Sequence, residues 1–155
     1  MTEKDMPPRP ITDEELTKRL RAAGLRLTPQ RLAVYRVLVN TNIHPTAAQI
    51  FTQLRERMPS ISQATVYNTL QVLVNEGLVH EVGDAGDGSS HYDADITPHV
   101  NLVCRRCQRI TDFHDPHIAG LDQLVARNTG YSLLGARLVY YGLCPGCQAA
   151  GEEGD

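Results

Sequence analysis

No run of apolar residues in this 155-residue chain is long enough to cross a bilayer as a helix, which excludes a helical membrane span. No secretory signal is visible at the N-terminus, so a cytoplasmic protein without a disulfide framework is expected. Neither a G-x-S-x-G elbow nor an H-E-x-x-H motif is present. The familiar serine-hydrolase and zinc-protease arrangements are therefore missing, and an enzyme is not expected. Cysteine is confined to four positions, Cys104, Cys107, Cys144 and Cys147, arranged as two C-x2-C pairs.

Two such pairs can close a tetrahedral all-thiolate zinc site of the structural kind, with Zn2+ as the expected ion. Two disulfides are a second reading, but they need an oxidising compartment. Redox catalysis is a third; it places a single C-x-x-C at a helix N-terminus and needs no second pair. Asn101 to Val103 and Gln108 to Phe113 read as strands, which puts Cys104 and Cys107 in a hairpin-like knuckle. Zinc is preferred, and such a site contributes on the order of 10–16 kcal/mol to folding. Arg105, Arg106 and Arg109 can offset the negative charge of four thiolates around one divalent ion. All four thiols are consumed by the clasp. The first pair is flanked by His99, five residues before it, and Asp112, five residues after it.

The net charge of −3 hides an asymmetry. Residues 1–80 carry ten Lys/Arg against seven Asp/Glu, and residues 81–155 carry five against eleven. A basic front and an acidic rear suit a nucleic-acid-binding module joined to something else. The front is patterned as helices. Thr12 and Glu15 read as a capping box with Ile11 and Leu16 as its staple, and Leu16, Leu20 and Ala23 form a stripe ended by Gly24. Thr28-Pro29 opens a second helix to about Asn40, with Leu32, Tyr35 and Leu38 or Val39 inward. Thr46 caps a third, burying Ile50, Phe51 and Leu54, and Ser62 caps a fourth, whose stripe is Val66, Leu70 and Leu73 before Gly77. Residues 78–82 and 90–93 are short strands around a Gly-rich turn.

Helices followed by a two-stranded hairpin make a winged helix-turn-helix. In that architecture the fourth helix enters the major groove. It offers Gln63, Thr65, Tyr67, Asn68 and Gln71 outward, polar uncharged groups that hydrogen-bond to base edges or phosphates. Arg26, on an earlier element, can add a backbone contact. A merely solvated helix face is the plainer alternative, and the wing weighs against it.

Gly24-Leu-Arg-Leu-Thr-Pro-Gln-Arg31, His44-Pro-Thr-Ala47, Ala64-Thr-Val-Tyr-Asn68 and the paired C-x2-C motifs resemble the ferric uptake regulator family over roughly residues 16–147. The resemblance implies an α+β protein. An N-terminal winged-helix DNA-binding domain would occupy residues 1–93, with 1–10 as a mobile arm. A C-terminal α/β dimerisation domain would occupy 94–150, followed by a disordered tail at 151–155. It further implies strands at Val100–Cys104 and Gln108–Phe113, a helix from about Pro116 to Asn128, and a strand from Tyr131 to Tyr141. The partners implied are a palindromic, AT-rich operator and a second copy of the chain.

The same resemblance, in its peroxide-sensing branch, places a regulatory metal on His44, Asp93, His99, Asn101 and Asp112. Asn101 stands where that branch has a second imidazole, so one nitrogen donor is replaced by an amide oxygen. Two imidazoles, two carboxylates and an amide suit Fe2+ or Mn2+. Asp112 and Asn68 resemble the peroxide branch, whereas iron-sensing members usually carry Glu and Arg there. Ala136 falls where many members have a His, which argues against a further sensory site at that position. With iron bound, His44 and His99 are the candidates for oxidation by peroxide. The rival expectation is an iron- or manganese-uptake repressor without peroxide sensing. His80, His91, His114 and His117 have no assigned part; His91, two residues before Asp93, is the one placed to join the site.

Overall fold

The computed structural model describes residues 10–152. The expected arm, apart from Pro10, and residues 153–155 of the expected tail lie outside the described residues.

Four helices come first: α1 (Asp13–Ala22), α2 (Pro29–Val39), α3 (Ala47–Leu54) and α4 (Gln63–Asn75). Their starts are set by hydroxyl caps. Thr12, Thr28, Thr46 and Ser62 each accept from the backbone N–H three residues on, which satisfies one of the amides a helix start leaves open. The reciprocal capping box is found on α3, where Thr46 N–H donates to the Gln49 side chain. On α1 the box expected from Thr12 and Glu15 is only half formed: Thr12 accepts from the Glu15 N–H, but the Glu15 carboxylate pairs with Arg19 instead. Gly24 and Gly77, after α1 and α4, adopt φ 74° and 73°, a left-handed conformation that costs glycine little.

The inward stripes meet in one core. Leu16, Leu20, Val34, Ile50, Val66, Leu70 and Leu73 are fully buried, with Tyr35 and Tyr92 beside them. On α2 the buried set is Ala33, Val34, Tyr35 and Leu38, while Leu32 and Val39 are only partly covered. Its face is rotated from the expected one because α2 packs against both α1 and α4. The hairpin β1 (His80–Asp84) and β2 (Ser90–Asp93) is antiparallel, with a register shift between Glu81 and Gly83. The Asp84 carboxylate accepts from Gly86 and Gly88 N–H and shapes its turn. His91 also bridges to Thr46, and Tyr92 N–H donates to the Pro45 carbonyl, so the hairpin is tied to the segment before α3.

A second sheet has the order β4-β3-β5. Strand β3 (Val100–Cys104) pairs antiparallel with β4 (Ile110–Phe113) and parallel with β5 (Leu138–Gly142). The parallel return is made through α5 (Pro116–Ala119) and α6 (Leu121–Thr129). Three expectations need correction here. The single helix from Pro116 to Asn128 is split at Gly120, which is both the C-cap of α5 and the N-cap of α6. The strand starts at Leu138, not Tyr131; residues 130–137 follow the left-handed Gly130 as irregular chain. Gly151 and Glu152 are not tail but the last turn of α7 (Pro145–Glu152), a helix opened by Pro145 at its first position.

Candidate metal centres and their surroundings

The antiparallel turn from β3 to β4 carries Cys104 and Cys107, and the entry to α7 carries Cys144 and Cys147. The parallel pairing of β3 with β5 brings these two ends together, since Cys104 lies opposite Gly142. The four Sγ atoms lie within 4.8 Å of one another. Cys107 Sγ and Cys144 Sγ are 3.8 Å apart, close to the edge of about 3.8 Å of a tetrahedron with Zn–S bonds of about 2.3 Å. Backbone N–H groups at Cys107 and Cys144 stabilise the Cys104 thiolate and hold its pKa down to about 5. The Cys144 amide donates to Cys104 Sγ at 3.3 Å. By contrast, the Cys144 thiol, burial and the other thiols push the Cys147 thiol up to about 12. Four thiolates at this spacing therefore need a cation between them. Arg106 reaches the Cys147 carbonyl and Arg105 stacks on Tyr141, so two of the three expected arginines brace the knuckle. Gln108, which closes it, has φ 62°.

A second cluster forms where the front and rear meet. His44 precedes α3, Asp93 ends β2, His99 precedes β3 and Asp112 sits on β4. His44 Nε2 lies 2.8 Å from Asp112 Oδ1 and 3.3 Å from Asp93 Oδ2. His99 Nε2 lies 2.9 Å from Asp93 Oδ2 and 3.6 Å from Asp112 Oδ1. Both imidazoles are buried, with side chains 4% and 2% exposed. Burial disfavours the charged ring of His44, but hydrogen bonds to Asp112 and Asp93 outweigh it and raise the pKa to about 9. His99 is raised in the same way, burial being overcome by the Thr97 carbonyl and the surrounding aspartates. The Asp93 carboxyl is lowered: burial opposes this, and the His44 hydrogen bond prevails.

Asn101 lies directly across the β3–β4 pairing from Asp112, so their side chains share one face. It is 2% exposed, and its Oδ1 has no hydrogen-bond partner among the described residues. A buried amide oxygen left unpaired costs roughly 1–3 kcal/mol, and a cation would satisfy it. The donor set and this orphaned oxygen fit a hard-to-borderline divalent ion. A cleft of about 870 Å³ opens onto His44, Asp93 and Asp112.

His91 does not join this cluster. Its Nδ1 lies 2.6 Å from the His44 carbonyl and its Nε2 2.8 Å from Asp87 in the hairpin turn. Strand alternation predicts it on the face of Asp93, but both of its ring nitrogens are taken by the His44 carbonyl and the Asp87 carboxylate. His117 is 97% exposed and turns to Asp115. His114 pairs with Asp95, a residue that sequence reasoning passed over because its partner lies 19 positions away.

On α4, Gln63, Tyr67 and Asn68 are exposed, and with Ala47 and Ala48 of α3 they line a cleft of about 410 Å³. Thr65 is half-buried and its hydroxyl pairs with Ser62, and Gln71 is half-buried too. Arg26 is exposed, and its carbonyl accepts from Arg31.

The sequence profile of the ferric uptake regulator family matches residues 22–141. The chain belongs to that family. As a member, it is 39% identical over 142 residues to the peroxide-responsive repressor PerR of Staphylococcus epidermidis, covering 92% of each chain. It is 41% identical over 134 residues to the peroxide operon regulator of Bacillus subtilis, covering 86% of this chain and 92% of that one. Among solved structures, the Helicobacter pylori ferric uptake regulator, described as having three functional metal binding sites, superposes with a TM-score of 0.71 at 26% identity. That likeness covers 90% of this chain and 96% of the other. The family fold is thus the α+β arrangement of a winged helix joined to an α/β sheet domain.

Proposed function

We propose that this family member is a metal-dependent, DNA-binding transcriptional repressor that senses peroxide, as its two relatives' names say of them. One observation carries the reading: His44 from the helical front meets Asp112 from the rear sheet at 2.8 Å across 68 residues of chain. A metal held there ties the two parts into one arrangement, so the ion shifts a population by binding one arrangement better than the other.

In this reading Cys104, Cys107, Cys144 and Cys147 hold a structural Zn2+, and His44, Asp93, His99, Asn101 and Asp112 hold regulatory Fe2+ or Mn2+. The chain divides into a DNA-binding part, 1–93, and a dimerisation part, 94–150. Gln63, Tyr67 and Asn68 supply the groove contacts, with Thr65, Gln71 and Arg26 as supports nearer the backbone, and the partner is a palindromic, AT-rich duplex. The large apolar residues left exposed in the rear, such as Leu124 and Tyr140, support a homodimer. The carboxylates fix charge and geometry; the imidazoles of His44 and His99 supply nitrogen and are the groups open to oxidation. Iron, when bound, supplies the one-electron chemistry by which peroxide adds oxygen to an imidazole. The cytoplasm is the compartment that fits free thiols and a DNA partner.

The test uses a duplex selected from random sequence by the manganese-loaded, zinc-clasped protein. Binding is titrated with Mn2+ and with Fe2+, before and after dilute peroxide, with mass spectrometry of the His44 and His99 peptides. Activation by both metals, with loss of the iron form alone and added oxygen on one of those peptides, is expected. Activation that survives peroxide makes the protein a metal-uptake repressor, and Asn101 the first residue to examine. No activation by either metal overturns the proposal.

A further inference from the structure

His99 has two faces. Its Nε2 is turned inward to Asp93 and Asp112, as described. Its Nδ1 is turned outward, 2.7 Å from the Thr97 carbonyl and 3.9 Å from Asp95 Oδ2. On that outer side His114 Nε2 lies 2.8 Å from the same Asp95 oxygen. The His99 and His114 rings are stacked, with centroids 4.9 Å apart and planes inclined by 27°. One ligand atom from each of Asp95, His99 and His114 falls within 4.8 Å of the other two.

We propose that Asp95, His99 and His114 form a second, solvent-facing site for a borderline divalent cation, zinc by chemistry, which competes with the interior set for the one imidazole of His99. Two imidazoles and one carboxylate, with remaining positions open to water, make the donor set of open zinc sites. Ligand atoms of a four-coordinate zinc with bonds of about 2.1 Å lie about 3.4 Å apart, and the separations of 2.8 and 3.9 Å bracket that edge. Asp95 is already oriented: its Oδ1 accepts from the Thr97 N–H at 3.0 Å and from the Thr97 hydroxyl, which leaves Oδ2 for the ion. His114 is half-exposed, so the site opens to solvent.

The competition follows from the valence of imidazole. A neutral ring has one lone-pair nitrogen and one N–H. When Nε2 serves the interior, Nδ1–H donates to the Thr97 carbonyl. When Nδ1 serves the outer ion, Nε2–H donates to Asp93 Oδ2, 2.9 Å away. Each tautomer finds an acceptor in place, so His99 can serve either ion but not both. Outer-site zinc would therefore withdraw a ligand from the interior set and weaken it.

The first measurement does not depend on what the interior set does. Zinc-clasped full-length His44→Ala, whose interior set is crippled, is titrated with Zn2+ against a chromophoric chelator. One exchangeable zinc per protomer is expected, with affinity falling at least tenfold in His44→Ala/His114→Ala and in His44→Ala/Asp95→Asn. Unchanged affinity in both double variants overturns the site. The second measurement rests on the proposed interior metal: release of Mn2+ by added Zn2+, followed by the manganese paramagnetic resonance signal. His114→Ala should require at least tenfold more zinc than the unaltered chain. Equal zinc requirements overturn the sharing of His99, whatever the outcome for DNA binding.

Discussion

The front and rear of the molecule are built on different terms. In the front, α1 to α4 bury seven Leu, Ile and Val side chains completely around Tyr35 and Tyr92. In the rear, α6 buries none of its side chains, and Leu124 and Val125 are 53% and 39% exposed. The three-stranded sheet buries Val100 and Val103 but leaves Leu102, Tyr140 and Tyr141 open. Apolar burial stabilises at about 25 cal/mol per Å², so the front can hold itself together and the rear cannot do so on packing alone. What the rear has instead is a cluster of four thiols and, in the proposed dimer, a second copy. A protein can thus divide its stability between a core and a metal, and the two halves should fail differently.

The largest difference should come from Cys104→Ser. Losing one thiolate removes a share of a clasp worth on the order of 10 kcal/mol, so zinc content and self-association should collapse while the helical signal of the front persists. Normal zinc content and normal dimerisation would break the comparison. Leu70→Ala opens a cavity in the front and should cost about 2–5 kcal/mol in denaturant unfolding. Leu124→Ala should cost no more than about 0.5 kcal/mol in that measurement, yet weaken self-association in sedimentation. Equal costs at the two leucines would erase the contrast.

Where front and rear meet, pH should act. The pKa of His44 is raised to about 9 in the metal-free fold, from an ordinary value of 6.5. The stabilising contact with Asp112 and Asp93 is therefore fully present below about 6.5 and lost as pH rises through about 9. A metal can take His44 Nε2 only after that proton leaves. Manganese affinity should accordingly climb with pH across this window, by up to about tenfold per unit for one proton. Calorimetry at pH 7.5 in buffers of different ionisation enthalpy should detect the released proton, and no release would contradict it. A local change within the front, Thr46→Ala, removes the α3 cap and should cost about 1 kcal/mol in thermal unfolding.

The front was legible because its signals are local. A hydroxyl three residues before a backbone amide, a stripe at helical spacing and a glycine at the stop decide a helix without reference to the rest of the chain. The clasp was legible for a similar reason, since C-x2-C carries its chemistry in four residues. Residues 130–137 misled because the resemblance implies a strand from Tyr131 and the apolar Tyr131, Leu133 and Leu134 are compatible with one, yet β5 is an edge strand and only Leu138 onward pairs. The start of α7 was missed because Pro145 at a first helical turn looks the same as a proline in a knuckle. Asp95 was invisible because its meaning comes only from His114, and the fold supplies that pairing. The interior cluster was placed by family resemblance; periodicity alone gave no reason for His44 to meet Asp112.

The 68 residues between His44 and Asp112 also have a meaning in time. Chains emerge from the ribosome at about 5–20 residues per second, so His44 waits roughly 3–14 s for its partner to be made. During that interval the helical front can already fold and present Tyr67 and Asn68, while the interior donor set is incomplete. A nascent chain could therefore search DNA before it is able to respond to its signal. The interior donor set is completed after the helical front and before the Cys144–Cys147 end of the clasp, and a product truncated before Asp112 would be born without it.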